Sequence, residues 1–252
     1  MYNRMSTACS VLLILFCGLV GFSVKVHAQN LYPLQSKFPD VMLYKSHTTE
    51  KVIALTFDDG PDNRFTPPIL DVLQKYNIKA TFFLLGTRVE KYPEVAKRIT
   101  NEGHVIGNHT YWHPDLTKTG ANNLQWEIEK NEKVIESVTN VKTDLFRAPY
   151  GALNETLVEK LGDLGYRGIG WSVDSVDWKS LSADEIKQNV LQAVHPGAII
   201  LMHSAGHWSQ DLSGTVEALD ELIPFLQEKG YEFITVPEMW SVNQIEDHII
   251  YK

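Results

Sequence analysis

The feature that most constrains this chain is an alternation. Between residues 51 and 236, short and nearly continuous apolar runs are each followed by a stretch with helical apolar spacing. KVIALTF (51–57) precedes PPILDVLQKY, ATFFLLG (80–86) precedes PEVAKRITNEG, and HVIGN (104–108) precedes NNLQWEIEKNEKVIESV. DLFRAPYG is followed by ETLVEKLGDLG, YRGIGWSVD by ADEIKQNVLQAV, AIILMHS by GTVEALDELIPFLQEKG, and EFITV closes the series. Apolar residues on both faces of a run mark parallel strands covered on both sides. Three- and four-residue intervals, as at Val95 and Ile99 or Leu219, Leu222, Ile223 and Leu226, mark helices with one apolar face. Gly103, Gly165 and Gly230 stand where three of these helices should stop. Seven such units, with no GxGxxG turn after the first run, predict an α/β fold of the distorted (β/α) barrel type over a doubly wound dinucleotide fold.

The ends of the chain read differently. Arg4, an uncharged run from Val11 to Val24 and then Val26-His27-Ala28 form the pattern of an export signal cleaved after Ala28. The apolar run is 14 residues long, shorter than the roughly 18 or more that span a bilayer, so no stable membrane span is expected. Residues 29–44 read as an extended lead-in, 45–242 as one catalytic domain and 243–252 as a tail. Removing residues 1–28 takes away both cysteines and two positive charges, and moves the formal charge from −8 to −10. The remaining domain is then expected to be secreted or wall-associated and monomeric. It has no thiol for a disulfide, a nucleophile or a cysteine-ligated metal. Its acidity argues against nucleic acid as a partner, because a cationic stripe to displace counterions is missing.

Chemistry-bearing residues collect after the apolar runs. Asp58 and Asp59 follow KVIALTF, His109 and His113 follow HVIGN, Arg147 and Tyr150 end LFRAPY, Asp174 and Asp177 follow GIGWSV, and His203 follows AIILM. In a parallel barrel the C-terminal strand ends share one face, so these residues are predicted to converge. His109 and His113, four apart, can offer nitrogens to one metal ion, and Pro114 confines them to a single turn at a loop. Thr110 stands where the metalloprotease HExxH pattern needs Glu, which argues against that kind of peptide hydrolysis. Gly60-Pro61 ends the strand after Asp58-Asp59, so both carboxylates can face one site. One could complete a His2Asp metal set and the other could take a proton from water; the spacing leaves open which does which.

Together TFDDGP (56–61), HTYWH (109–113), RAPYG (147–151), DSVDW (174–178) and LMHS (201–204) resemble the five ordered motifs of the polysaccharide deacetylases, the NodB-homology or carbohydrate esterase family 4 enzymes. The resemblance spans about residues 50–240. It implies a distorted (β/α) barrel, a divalent metal ion, usually Zn2+ with Co2+ possible, and removal of acetyl groups from N-acetylated sugars of peptidoglycan, chitin or chitooligosaccharides. Some members de-esterify xylan, so an acetyl-xylan type of O-deacetylase is the alternative chemistry.

Motif by motif, the resemblance implies Asp59, His109 and His113 as metal ligands and Asp58 as general base, oriented by Arg147. It implies that Tyr150 gives a backbone N–H to an oxyanion site and its ring to a sugar wall, next to Pro149, which is hydroxylated in some relatives. His203 is implied as general acid beside an acetyl pocket that includes Leu201, with Asp177 raising its pKa and Asp174 a further partner of His203 or Arg147. Trp178 is implied as a groove wall. Ser204 departs from the Asp that many relatives carry there, which puts the tuning of His203 in question.

Two other classes compete. A glycosidase needs carboxylates roughly 5–9 Å apart across a bond, which adjacent aspartates beside two metal-type histidines do not suggest. An inactive glycan-binding barrel should have lost a ligand or the base, and all are present. Of the other histidines, His47, His104, His195 and His248 read as surface or cap residues. His207 and Trp208 read as plain loop, with a cleft rim as the alternative, and Asn108 and Asn154 head N-x-[ST] triplets that are common by chance.

Overall fold

The structure is a computed structural model that describes residues 32–250, with side chains as far as residue 245. The expected export signal lies outside the described residues. In chain order the elements are α1 (Pro33–Lys37), β1 (Met42–Leu43), β2 (Val52–Asp58), α2 (Thr66–Lys75), β3 (Thr81–Leu84), α3 (Gly86–Lys91), α4 (Pro93–Asn101) and β4 (Val105–Asn108). They continue with α5 (Leu116–Thr119), α6 (Ala121–Thr139), β5 (Leu145–Phe146), α7 (Glu155–Asp163), β6 (Arg167–Ile169), β7 (Val173–Asp174) and α8 (Ala183–Ala193). The chain closes with β8 (Ala198–His203), α9 (Ser213–Glu228), β9 (Glu232–Phe233) and α10 (Val236–Ile250).

The strands form one curled sheet in the order β1-β6-β5-β4-β3-β2-β8-β7, with β9 added beside β2. Every strand pair in it is parallel. β1 and β7 end this path without pairing with each other, so the expected (β/α) barrel is present in a distorted, incompletely closed form.

Three segments differ from the sequence reading. The lead-in is not simply extended: α1 lies in it, and β1 pairs with β6. YRGIGWSVD is not one strand, because β6 pairs with β5 and β1 whereas β7 pairs with β8. The C-terminal residues are not a separate tail but continue α10, where buried Asn243 accepts a hydrogen bond from the His47 N–H.

Strand periodicity explains where the chemistry sits. Ile53, Leu55 and Phe57 of β2 pack outward with α2, α8 and α9, through residues such as Ile69, Ile186 and Leu222. Ala54 points the other way, into an inner core with Leu43, Phe83, Leu145, Ile169 and Ile199, against which Val236, Met239 and Trp240 of α10 pack. The same alternation carries Thr56 and Asp58 up the inner face of β2, and Leu201 and His203 up that of β8. Gly107 in β4 is required by packing: a Cβ there would sit 2.4 Å from the Phe83 ring. Phe83 in turn supports the Arg147 guanidinium 4.2 Å from its centroid.

The expected helix stops hold. Gly103 follows α4 at φ 80°, and its N–H and that of His104 return to Thr100 O and Ile99 O, closing a Schellman turn that needs a left-handed residue. Gly165 after α7 and Gly230 after α9 repeat the pattern.

Candidate active site

Asp58, at the end of β2, is buried, and Asp59 follows at φ 67°. That left-handed turn is the local reason that two adjacent carboxylates face one site rather than opposite sides of the sheet. Asp59 Oδ1 lies 3.4 Å from His109 Nε2 and 3.2 Å from His113 Nε2, and Asp58 Oδ2 lies 3.7 Å from His109 Nε2. Asp59, His109 and His113 thus form a group able to hold a metal ion.

The donor set fits such an ion. Asp59 Oδ1 is buried and makes no hydrogen bond. His109 Nδ1 contacts Arg147 O at 2.8 Å, a carbonyl that can only accept, so Nδ1 carries the hydrogen and Nε2 is left as a lone-pair donor. Donors around a tetrahedral ion with bonds of about 2.0–2.1 Å stand about 3.4 Å apart, close to the two measured separations. Burial alone would raise the Asp59 pKa, yet the close approach of the His109 and His113 imidazoles, with the charges of His109 and His203, holds it well below the ordinary carboxylate value.

The loop that carries the two histidines is held from below by residues whose role the sequence did not reveal. Glu127 of α6, buried, accepts from the Tyr111 and Trp112 N–H groups through Oε2, both at 2.8 Å. Asn108 Oδ1 accepts from the Thr110 N–H and from Asn131 Nδ2, both at 2.9 Å, and Thr110 Oγ1 accepts from the His113 N–H. Asn108 is fully buried, so its N-x-[ST] triplet is no surface acceptor. Thr110 at φ 72° and His113 at φ 65° depend on these bonds to stay in a sparsely populated conformation. In sequence, Glu127 and Asn131 are only polar residues inside a helical pattern; their one signal is that they fall on the face carrying Leu124, Ile128 and Ile135.

Arg147 is 1% exposed. Its Nη1 donates to Asp58 Oδ1 and to Thr56 Oγ1, each at 2.8 Å. Nε donates to Ile169 O and Nη2 to Gly170 O. These two carbonyls stand where β6 ends, so the arginine satisfies groups that a continuous strand would have paired within the sheet.

His203 stands on β8 in register with Asp58, and Asp177, fully buried, holds it twice, through Oδ1 to the ring Nδ1 at 2.7 Å and through Oδ2 to the His203 N–H at 2.8 Å. Thr215 of α9 donates to Asp177 Oδ2 at 2.9 Å. Val176, a β-branched residue at φ 59°, turns the chain so that Asp177 faces inward. Burial lowers the His203 pKa, but the charge and hydrogen bond of Asp177, with Asp59 and Asp58 adding, raise it to about 9.

Ser204 makes its bonds away from the imidazole: its N–H donates to Asp58 O and its carbonyl accepts from Thr66. Asp174 accepts a hydrogen bond from the Val176 N–H and makes none to Arg147 or His203, although the charges of His203 and Asp177 act on it; its pKa is raised, chiefly by burial.

A family model described as polysaccharide deacetylase matches residues 45–169. A peptidoglycan-N-acetylglucosamine deacetylase of Bacillus cereus is 47% identical over 194 residues, which cover 76% of this chain and 69% of the relative. The chain belongs to the polysaccharide deacetylase family, carbohydrate esterase family 4. The peptidoglycan-N-acetylmuramic acid deacetylase PdaA of Bacillus subtilis is 38% identical over 78% of this chain and 74% of its own. Among solved structures, the Bc1960 peptidoglycan N-acetylglucosamine deacetylase in complex with 4-naphthalen-1-yl-N-oxidanyl-benzamide superposes with a TM-score of 0.76 at 45% identity, covering 79% of this chain and 92% of that one.

The polar groups open into one cleft, of about 670 Å³. Asp58, Asp59, His109, His113, Asp174 and His203 line it, and Tyr150, Trp178 and Leu201 form apolar wall. Tyr150 sits at φ 61° and is 70% exposed, whereas Pro149 beside it is buried. The cleft is also lined by Trp171, Arg88 and Gln210, which the motifs did not mark, and by His207, which is a rim residue and not plain loop. His104 is the expected cap residue, its N–H closing the turn after α4, but it is buried; its ring accepts from the Ala80 N–H, and its pKa is lowered to about 4, first by burial.

Proposed function

We propose that this chain is a secreted, zinc-dependent N-deacetylase that hydrolyses the acetamide of N-acetylated sugars in peptidoglycan, N-acetylglucosamine first, to free amine and acetate. One observation carries the reading. Asp58, a proton acceptor braced by the buried Arg147, and His203, a proton donor braced by the buried Asp177, line the same cleft as Asp59, His109 and His113.

When bound by Asp59, His109 and His113, the divalent ion supplies Lewis-acid polarisation of the acetyl carbonyl and of the attacking water. Asp58 takes a proton from that water as its oxygen bonds to the acetyl carbon. Arg147 holds Asp58 Oδ1, so that Oδ2 is the oxygen left to face the cleft. The Tyr150 N–H helps to stabilise the oxyanion, a donor of the kind worth about 3 kcal/mol. Leu201 packs against the acetyl methyl. His203 gives its proton to the departing nitrogen, the C–N bond breaks, and acetate and amine leave without a covalent enzyme intermediate.

Identity favours N-acetylglucosamine over N-acetylmuramic acid, because the glucosamine-specific relative is 47% identical and the muramic-acid-specific one 38%. Mass spectrometry of muropeptides and of chitooligosaccharides after incubation with residues 29–252 tests the proposal. Loss of 42 mass units from glucosamine residues, as expected for one acetyl group, supports it. Chain cleavage, loss confined to O-acetyl groups, or binding without any mass change overturns it.

A further inference from the structure

After His203 the chain enters a loop, residues 205–211, whose backbone is tied down by side chains from elsewhere. Arg88 Nη2 donates to Gly206 O at 2.6 Å, and Arg64 donates through Nη1 and Nη2 to Trp208 O and Gln210 O, both at 3.0 Å. Gln210 accepts from the His207 N–H through Oε1 at 2.5 Å and donates through Nε2 to Trp178 O at 2.7 Å. The Gln210 N–H also bonds to His207 O at 2.9 Å, closing a turn with Trp208 and Ser209 at its tip.

Trp208, so mounted, is 81% exposed, the highest among the exposed large hydrophobic residues of the described chain. Its neighbours His207 and Gln210 both line the cleft, so the indole stands at the cleft's rim. The Gln210–Trp178 bond puts it on the same side as Trp178, which is 42% exposed. An indole displayed without cover is ordinary on a loose loop. Here hydrogen bonds hold the backbone that carries the ring, and the His207 ring stands 5.4 Å from it, so less freedom is lost when a ligand binds.

The chemistry of an exposed aromatic face on a tied-down loop at the cleft's rim selects its ligand. A β-linked pyranose with equatorial substituents turns axial C–H groups toward one face, which matches an indole in size and polarity. We propose that Trp208 is the stacking platform for a sugar ring of the same glycan outside the reacting position, which makes this chain selective for polymer over short oligosaccharides. The identity of the reacting position rests on the deacetylase reading above; the platform itself does not.

The test measures kcat/KM for acetate release from N-acetylchitooligosaccharides of two and five units. Calorimetry in parallel follows binding of the five-unit chain and of peptide-free peptidoglycan strands. Trp208→Ala is expected to lower the five-to-two-unit ratio at least fivefold, through KM, and to weaken binding of the longer chains by a similar factor, with Trp208→Phe restoring most of both. A ratio and an affinity within twofold of wild type, or no binding of either glycan by the wild-type protein, overturn the platform. Weaker binding by Trp208→Ala without acetate release from any glycan keeps the platform and removes the deacetylase reading. Acetate release at an unchanged ratio and affinity does the reverse.

Discussion

Arg147 Nη1 and Asp58 Oδ1, 89 residues apart in sequence, meet at 2.8 Å in a buried pair whose guanidinium rests on Phe83. Breaking a buried pair strands the partner charge and typically costs about 3–5 kcal/mol. Arg147→Ala is therefore expected to unfold at markedly lower denaturant than wild type. Arg147→Lys keeps the charge but not the fork that also reaches Ile169 O and Gly170 O. It should remain folded and lose about 10–100-fold in kcat, the usual size for a residue that orients a catalytic group. Chemical denaturation and steady-state kinetics on the same preparations check both.

In the proposed mechanism, Asp177 sets the pH range over which His203 acts as an acid. With the His203 pKa raised from 6.5 to about 9, the imidazole keeps its proton through neutral pH, and kcat/KM should fall as pH rises through about 9. Asp177→Asn removes the largest raising contribution, so the falling limb should move to lower pH. The sign for stability is the same: a raised folded-state pKa contributes stability that is fully present below about 6.5 and lost as pH rises through about 9. Kinetic and thermal-denaturation pH profiles of wild type and Asp177→Asn measure the two effects.

Glu127 is expected to act on activity without touching the cleft's chemistry. Glu127→Ala leaves the buried N–H groups of Tyr111 and Trp112 without their acceptor, at a cost of about 1–3 kcal/mol. It also frees the loop that presents His109 and His113, so metal affinity should fall about 10–100-fold. Glu127→Gln, which keeps one oxygen for the two donors, should recover part of each. Competition with a chelator reads the affinity directly.

Metal binding should stabilise the fold. At an ion concentration 100 times Kd the gain is about 2.7 kcal/mol, which for a domain of this size raises Tm by about 5–10 °C. His113→Ala should abolish that shift, because it removes one of the three donors while leaving Asp59 and His109 in place. Differential scanning calorimetry with and without zinc or cobalt, after chelation, measures it.

How much of this was legible in the sequence follows from the range of each interaction. Strand ends, helix stops at glycine and the convergence of five motifs on one face are set by local periodicity and by the geometry of parallel sheets, so the residues themselves announce them. The β6/β7 break was hidden because the Ile169 and Gly170 carbonyls are satisfied by Arg147, which lies more than twenty residues upstream. The lead-in's place in the sheet was hidden because β1 is only two residues long. Glu127, Asn131 and Thr215 act through buried hydrogen bonds to other loops, and a buried polar residue on a helix looks in sequence like any polar residue on a helix. Spacing alone leaves the roles of Asp58 and Asp59 open; the structure places one against Arg147 and the other between two imidazoles, the arrangement on which their proposed roles rest.

The central claim is that Asp58 and His203 move protons in the cleft where Asp59, His109 and His113 would hold a metal ion. Quantified acetate release from purified peptidoglycan, by zinc-reconstituted wild type, Asp58→Asn and His203→Ala, tests it most directly. The account expects wild type to release acetate stoichiometric with new free amines, and both variants to lose about a hundredfold or more in kcat while still binding zinc. Either variant releasing acetate at the wild-type rate would contradict it.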